Sequence, residues 1–399
     1  GKTVVAAMAI AAVTHSDSQA ALMAPTSILA EQHYRSMLSL LAGGDSYPLN
    51  PESIALMIGA TPEAEKRTIR EGLANGTIKL VIGTHALIED PVTFADLQLV
   101  IVDEQHRFGV EQRALLRSKG SNPHLLVMTA TPIPRSLALT VYGDLDLSLM
   151  DEMPPGRLPV ETHVLTPMER ERAYQLICSQ IDTGRQAFII YPLVEESDQS
   201  ESKAAVEEHA RLQSDVFPRF KLGLLHGRLP PDEKEAVMSR FHNGEYQILV
   251  STSVVEVGVD IPNATVMLIE GANRFGLAQL HQFRGRVGRG GDQAYCLLIP
   301  DTADAAENER LQAMVETNDG FVLAERDLEQ RGPGEFLGTR QSGYSELRLA
   351  NLTDIHLIEK ARRQAQILFE QDPDLQHPAH QLLVAALERF WGGGKGDIS

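Results

Sequence analysis

Only two cysteines, Cys178 and Cys296, occur in 399 residues, and they lie far apart. That argues against a disulfide framework or a cysteine-ligated metal cluster and suggests reduced thiols in a cytosolic protein. Tryptophan occurs once, at Trp391, where it either packs a tail or stacks on a base. No apolar run is long enough to span a membrane. Val4 to Val13 is apolar but short, lacks a basic leader and a cleavage signal, and reads as a helix. Positive charge is also in deficit, with 36 Lys and Arg against 54 Asp and Glu for a net charge of -18. This excludes a uniformly basic wrapper of nucleic acid, so any polynucleotide contact has to be local. What remains is ordinary globular material, 43% hydrophobic, enough for two or three domains with their own cores.

Apolar strands alternate with amphipathic helices: Ala20 to Met23, Lys79 to Ile82, Leu99 to Val102 and Leu125 to Met128. Such a succession predicts a parallel, doubly wound sheet. A proline-rich stretch from Met153 to Pro159 interrupts it, and the pattern restarts with Gln186 to Tyr191, Lys221 to Leu225, Gln247 to Val250, Val266 to Ile269 and Ala294 to Ile299. After Pro300 helices dominate, the clearest being Ala303 to Glu316 and Leu352 to Phe369. The expected fold class is α/β, two tandem parallel-sheet lobes followed by a mainly helical module. The expected boundaries are 1–152 for the first lobe, 153–160 for a linker, 161–302 for the second lobe, 303–348 for a hairpin module and 349–399 for a helical tail.

Asp103 and Glu104 follow Leu99-Val100-Ile101-Val102, placing an acidic pair at the carboxyl end of a buried strand, where open α/β sheets bind ligands. Asp103 would hold magnesium, and Glu104 would orient and deprotonate a water attacking a phosphoryl group; the alternative is an acidic cap on the next helix. Gly1-Lys2-Thr3 matches the last three letters of the phosphate loop G-x-x-x-x-G-K-[ST]. There Lys2 would reach the β- and γ-phosphates and the Thr3 hydroxyl would ligate magnesium. A chain with no initiator Met that begins inside such a motif is expected to be a fragment of something longer.

Gln282-Phe283-Arg284-Gly285-Arg286-Val287-Gly288-Arg289 fits Q-x-x-G-R-x-G-R. On a helix opening, Arg286 and Arg289 would share one face and point across a cleft at a nucleotide held by the first lobe. The alternative is a basic, solvated helix. Ser251 to Asp260, just beyond a strand, would contact both nucleotide and nucleic acid, or is simply strand plus turn. The histidines His15 and His380 and the acidic stretch Glu195-Glu196-Ser197-Asp198 with Glu201 read as surface or packing features.

With these residues in hand the chain resembles the RecG family of superfamily 2 DNA helicases over essentially its whole length. The motifs occur in order: Ala24-Pro25-Thr26 with Glu31-Gln32-His33, Gly83-Thr84-His85, Asp103-Glu104-Gln105-His106-Arg107-Phe108-Gly109, Thr129-Ala130-Thr131-Pro132, His226-Gly227-Arg228, and the two strings of the second lobe. Asn318 to Gly343 resembles the translocation motif shared with the transcription-repair coupling factor. The resemblance implies RecA-like lobes, ATP and Mg2+ as cofactors, and catalysis by Lys2, Asp103, Glu104, Arg286 and Arg289. It implies nucleotide contacts from Gly1, Lys2, Thr3, His106, Gly258, Asp260 and Gln282, and DNA contacts from Pro25, Thr26, Gly83, Thr84, His85 and Thr252. Coupling would fall to Thr129, Thr131, Arg331 and Gln341. The implied partner is branched double-stranded DNA, at stalled forks and Holliday junctions, acted on by a monomer in the bacterial cytoplasm at the nucleoid, with single-strand-binding protein as a further partner. Gln105-His106 after the acidic pair favours this family over the coupling factor, which typically reads D-E-E-Q there. Two rivals stay open, a coupling-factor-like translocase and a DNA-binding module that hydrolyses nothing. The adenine-recognition segment, the front of the phosphate loop and the family's wedge domain are not in the sequence.

Overall fold

A computed structural model describes residues 1–44, 47–89, 91–104, 108, 110–129, 146–150, 156–192, 198–252, 261–331 and 355–391. By internal contacts the chain forms two compact units, one of residues 1–131 with 152–318 and one of 132–151 with 319–399.

The first unit contains two parallel sheets. Helix α1 (Lys2–His15) leads into β1 (Gln19–Met23), followed by α2 (Ser27–Leu41), β2 (Ile54–Met57), α3 (Glu63–Ala74), β3 (Leu80–Gly83), β4 (Leu97–Asp103), α4 (Val110–Arg117) and β5 (His124–Met128). Strand order is β2-β3-β1-β4-β5, all parallel. Because side chains alternate across a strand, Ala20, Leu22, Leu80, Ile82, Leu99 and Ile101 pack beneath α1 and α2. Ala21, Met23, Val81, Val100 and Val102 pack with α3 on the other face. Burial on both sides is why these strands are nearly uninterrupted apolar runs.

The second sheet is built from β6 (Glu161–Val164), α5 (Arg170–Asp182), β7 (Gln186–Ile190), α6 (Asp198–Arg211), β8 (Leu222–Leu225), α7 (Pro231–His242), β9 (Ile248–Ser251), β10 (Ala264–Glu270), α8 (Leu277–Arg284) and β11 (Tyr295–Ile299), in the order β6-β11-β10-β7-β9-β8. The two lobes repeat a device. Gln19 opens β1 and donates its Nε2 to Leu73 O and Ile78 O, while Gln186 opens β7 and donates to Phe241 O and Tyr246 O. Both amides are buried and tie the first residue of each strand to backbone carbonyls of neighbouring segments.

Two strands escape the sequence pattern, β2 and β6, and both are sheet edges. In β6 the exposed Glu161 and His163 break the apolar run, and β2 is four residues emerging from a 3-10 turn at Pro51–Ser53. The expected helix over Ala303 to Glu316 is also divided. A 3-10 turn, Asp304–Glu307, precedes α9 (Glu309–Glu316), because the Asn308 side chain accepts from Arg310 N and caps a new helix there. In the second unit α10 (Gly320–Arg331), α11 (Ile355–Gln371) and α12 (Gln381–Trp391) are the described helices. His380 Nδ1 meets Asp372 Oδ2 at 2.7 Å, so it is a packing histidine. Both cysteines are free thiols.

Candidate nucleotide and nucleic-acid site

Strand β4 delivers Asp103 as its last residue, and Glu104 follows with φ 51°. That is the left-handed region, costly for a residue with a Cβ. Asp103 steadies it, since its Oδ1 accepts from Glu104 N at 3.0 Å. On the neighbouring strand Asp103 is level with Met128, so Thr129 lies beside the acidic pair. Lys2, in the first turn of α1, donates its Nζ to Thr129 O at 2.7 Å. Burial pulls the Lys2 ammonium below its ordinary range; Glu104 and Asp103 push it back up, and Arg289 and Arg286 push it down. One electrostatic neighbourhood therefore contains the lysine, both carboxylates and both arginines, from positions as far apart as 2 and 289. Gly1 caps α1 without a side chain, and Thr3 occupies the first turn, where helix N–H groups have no intrahelical partner.

The arginine string is not a helix opening. Helix α8 ends at Arg284, Gly285 is its C-cap, and Gly288 has φ 69°. Arg286 and Arg289 are therefore presented from the turn after a helix, because the left-handed glycine ends any helical path. The two differ in environment. Arg286 is buried, whereas Arg289 is exposed and held by its Nε donating to Gly285 O at 3.0 Å. The turn is pinned from the proline-rich stretch, where Arg157 Nε donates to Gly288 O at 3.0 Å. Gln282 lies on α8, partly exposed.

The expected DNA contacts gather just beyond carboxyl ends of strands, as ligand sites of open α/β sheets do. Pro25 and Thr26 follow β1, and Thr26 is the N-cap of α2, its side chain accepting from Leu29 N. Thr84 is buried after β3, and His85 is exposed at the start of a 3-10 turn. Thr252 is buried after β9, and its Oγ1 finds no hydrogen-bond partner among the described residues. His226 follows β8, where burial, then Lys234 and Arg228, hold its imidazole below the usual range. Gly83 has a packing reason of its own, because a Cβ there would stand 2.1 Å from Met57 O. Gly83→Ala should cost about 1–3 kcal/mol, read as a lower melting temperature; an unchanged midpoint would mean the strands do not approach so closely. His106, Thr131, Gly258, Asp260 and Gln341 lie outside the described residues, as does the Arg331 side chain.

Two residues of this region had no role assigned from the sequence. His33 Nε2 contacts Asp103 Oδ2 at 2.7 Å, both groups buried. Its signal was visible, since His33 stands in the buried stripe Leu29, Ala30, His33, Met37, Leu41 of α2, where an apolar residue is expected. Arg284, 2% exposed, donates Nη1 to Met314 O at 2.8 Å and Thr317 O at 2.9 Å. A cation at the C-terminus of α9 suits the helix dipole. Burial lowers its pKa, and burial also pushes the nearby Cys296 thiol up to about 12. Arg284→Met strips these carbonyls of their donors and should cost about 3 kcal/mol, measurable as a melting temperature several degrees lower.

Comparison with known proteins bears on all of this. The DEAD/DEAH box helicase family matches residues 1–140, and the helicase conserved C-terminal domain matches residues 169–291. The C-terminal part of domain 3 of the ATP-dependent DNA helicase RecG matches residues 317–391. The ATP-dependent DNA helicase RecG of Synechocystis sp. is 51% identical over 396 residues, covering 98% of this chain and 47% of that protein. The chain belongs to the RecG family. The Thermotoga maritima RecG is 53% identical over 368 residues, covering 92% of this chain and 46% of that protein. A solved structure of RecG bound to a three-way DNA junction superimposes with a TM-score of 0.73 at 49% identity, covering 90% of this chain and 46% of that one. The chain thus spans about half the length of these RecG relatives.

Proposed function

We propose that this chain is the motor of an ATP- and magnesium-dependent translocase on branched double-stranded DNA, one that remodels stalled forks and Holliday junctions. The observation that carries the reading is the convergence of Lys2, Asp103, Glu104, Arg286 and Arg289 in one electrostatic neighbourhood. Phosphoryl transfer asks a protein mainly for positioning and charge stabilisation, and these five groups supply both. Magnesium takes one or two protein oxygens and otherwise phosphates and water; Asp103 and the Thr3 hydroxyl are such hard donors. When bound, magnesium neutralises charge on the β- and γ-phosphate oxygens. Lys2, released from Thr129 O, binds the same phosphates, Glu104 takes the proton of the attacking water, and Arg289 and Arg286 stabilise the transferring phosphoryl.

Thr26, Thr84 and Thr252, with the neighbouring Pro25, Gly83 and His85, hold the sugar-phosphate backbone. Small hydroxyls and backbone amides position a track without reading its sequence, which suits a chain of net charge -18 that releases DNA in every cycle. The substrate class is read from the relative solved on a three-way junction. Coupling runs through Thr129, Thr131, Arg331 and Gln341, and nucleotide contacts through His106, Gln282, Gly258 and Asp260. The protein acts as a cytoplasmic monomer at the nucleoid, with single-strand-binding protein as a partner.

The test is ATP hydrolysis by the full-length protein with and without a three-way DNA junction. Turnover that rises with junction DNA and requires magnesium supports the reading. Absence of turnover on junction DNA would shift the assignment to a DNA-binding module.

A further inference from the structure

The Asp103 carboxylate is held from two sides. Its Oδ1 accepts the backbone N–H of Glu104 at 3.0 Å, and its Oδ2 lies 2.7 Å from His33 Nε2. The first bond comes from the adjacent residue and follows wherever β4 goes. The second comes from 70 positions away and fixes the carboxylate against helix α2. Both side chains are largely shielded from solvent, at 9% and 13% exposure for His33 and Asp103, so water competes little for the bond. An ionised carboxylate can only accept, so Nε2 carries the hydrogen.

Resting on the motor reading above, we propose that His33 is a positioning residue for Asp103. It fixes which lone pairs of the carboxylate face a divalent cation and attaches that carboxylate to the helix whose N-cap is Thr26. A carboxylate has about four lone-pair sites. His33 and Glu104 N together occupy two and leave the others in a set direction. Outer partners of this kind orient metal ligands, and their loss typically costs about 10–100-fold in metal affinity. The same bond makes α2 a shared element. Thr26 and His33 are seven residues apart on one continuous helix, about 10 Å along its axis at 1.5 Å per residue. A backbone phosphate seated at Thr26 and a cation seated at Asp103 therefore bear on one rigid body.

The experiment uses the full-length protein, a non-hydrolysable ATP analogue and Mn2+ followed by electron paramagnetic resonance, so that binding is read without turnover. Wild type, His33→Leu and His33→Gln are compared, the Gln amide presenting a donor near the position of Nε2. Circular dichroism confirms that each variant is folded. The expected result is Mn2+ affinity about 10–100-fold weaker in His33→Leu, with most of it restored in His33→Gln. Junction DNA should tighten Mn2+ binding in wild type and His33→Gln but not in His33→Leu. Equal affinities in wild type and a folded His33→Leu would overturn the positioning role while leaving the motor reading standing. Failure of wild type itself to bind Mn2+ with the analogue would overturn both. If His33→Leu does not fold, His33→Met takes its place with the same outcomes: Mn2+ binding weaker by about tenfold or more supports the donor role, and wild-type affinity overturns it.

Discussion

Arg289→Ala should lower ATP turnover by about 10³-fold or more while leaving nucleotide affinity and the melting temperature close to those of the parent. The expectation follows from where the guanidinium sits. Arg289 is exposed, with its Nε donating to Gly285 O, so removing it empties no core. Its charge nevertheless reaches Lys2, the residue expected at the β- and γ-phosphates. An interaction made mainly in the transition state lowers turnover without weakening ground-state binding. Arg286→Ala is the informative companion. Arg286 is buried, so its loss should reduce turnover and also depress the melting temperature. Lysine should rescue neither, because an ammonium cannot reproduce the planar fork of a guanidinium. Steady-state kinetics, a nucleotide-binding titration and a thermal melt on the same preparations decide the matter. Turnover of Arg289→Ala within a few-fold of the parent would remove that residue from the chemistry.

Glu104→Gly should lose about 10²–10⁴-fold in turnover and yet melt at a higher temperature than the parent. The backbone at Glu104 has φ 51°; a side chain there costs about 1–2 kcal/mol, which glycine avoids. Glycine's freedom in the unfolded chain gives back about 0.5–1 kcal/mol, leaving a net gain between roughly 0 and 1.5 kcal/mol, with about 0.75 as the middle value. Glu104→Gln keeps the Cβ and the strain, so it should lose turnover to a similar degree with no rise in melting temperature. The pair separates chemistry from backbone strain. Strain retained at Glu104, the residue proposed above as the catalytic base, is a stability cost that such a function would account for. A Glu104→Gly protein that melts lower than Glu104→Gln would show that the left-handed turn is not under strain.

The alternation of apolar strands with amphipathic helices determined the doubly wound class, because a strand covered on both faces has to be apolar along its whole length. Nine strands lie where that pattern puts them, within a residue or two. The order and spacing of the short motifs determined the family, and they needed no geometry, since each is a local string legible in the sequence alone.

Tertiary structure decided the rest. Edge strand β6 was illegible because an edge tolerates polar residues, here Glu161 and His163; nothing in β2, an apolar run of four residues, separates it from the strands that were read. The arginine string looks helical by spacing, yet Gly288 takes a left-handed conformation that the packing of its turn selects. The bond from His33 to Asp103 and the anchoring of Arg284 at Met314 and Thr317 join residues 70, 30 and 33 positions apart. A histidine in an apolar stripe signals that it has a partner but not which one. Pattern and propensity act over a few neighbouring residues, whereas the choice of partner is made when the sheets close and bring distant strand ends together.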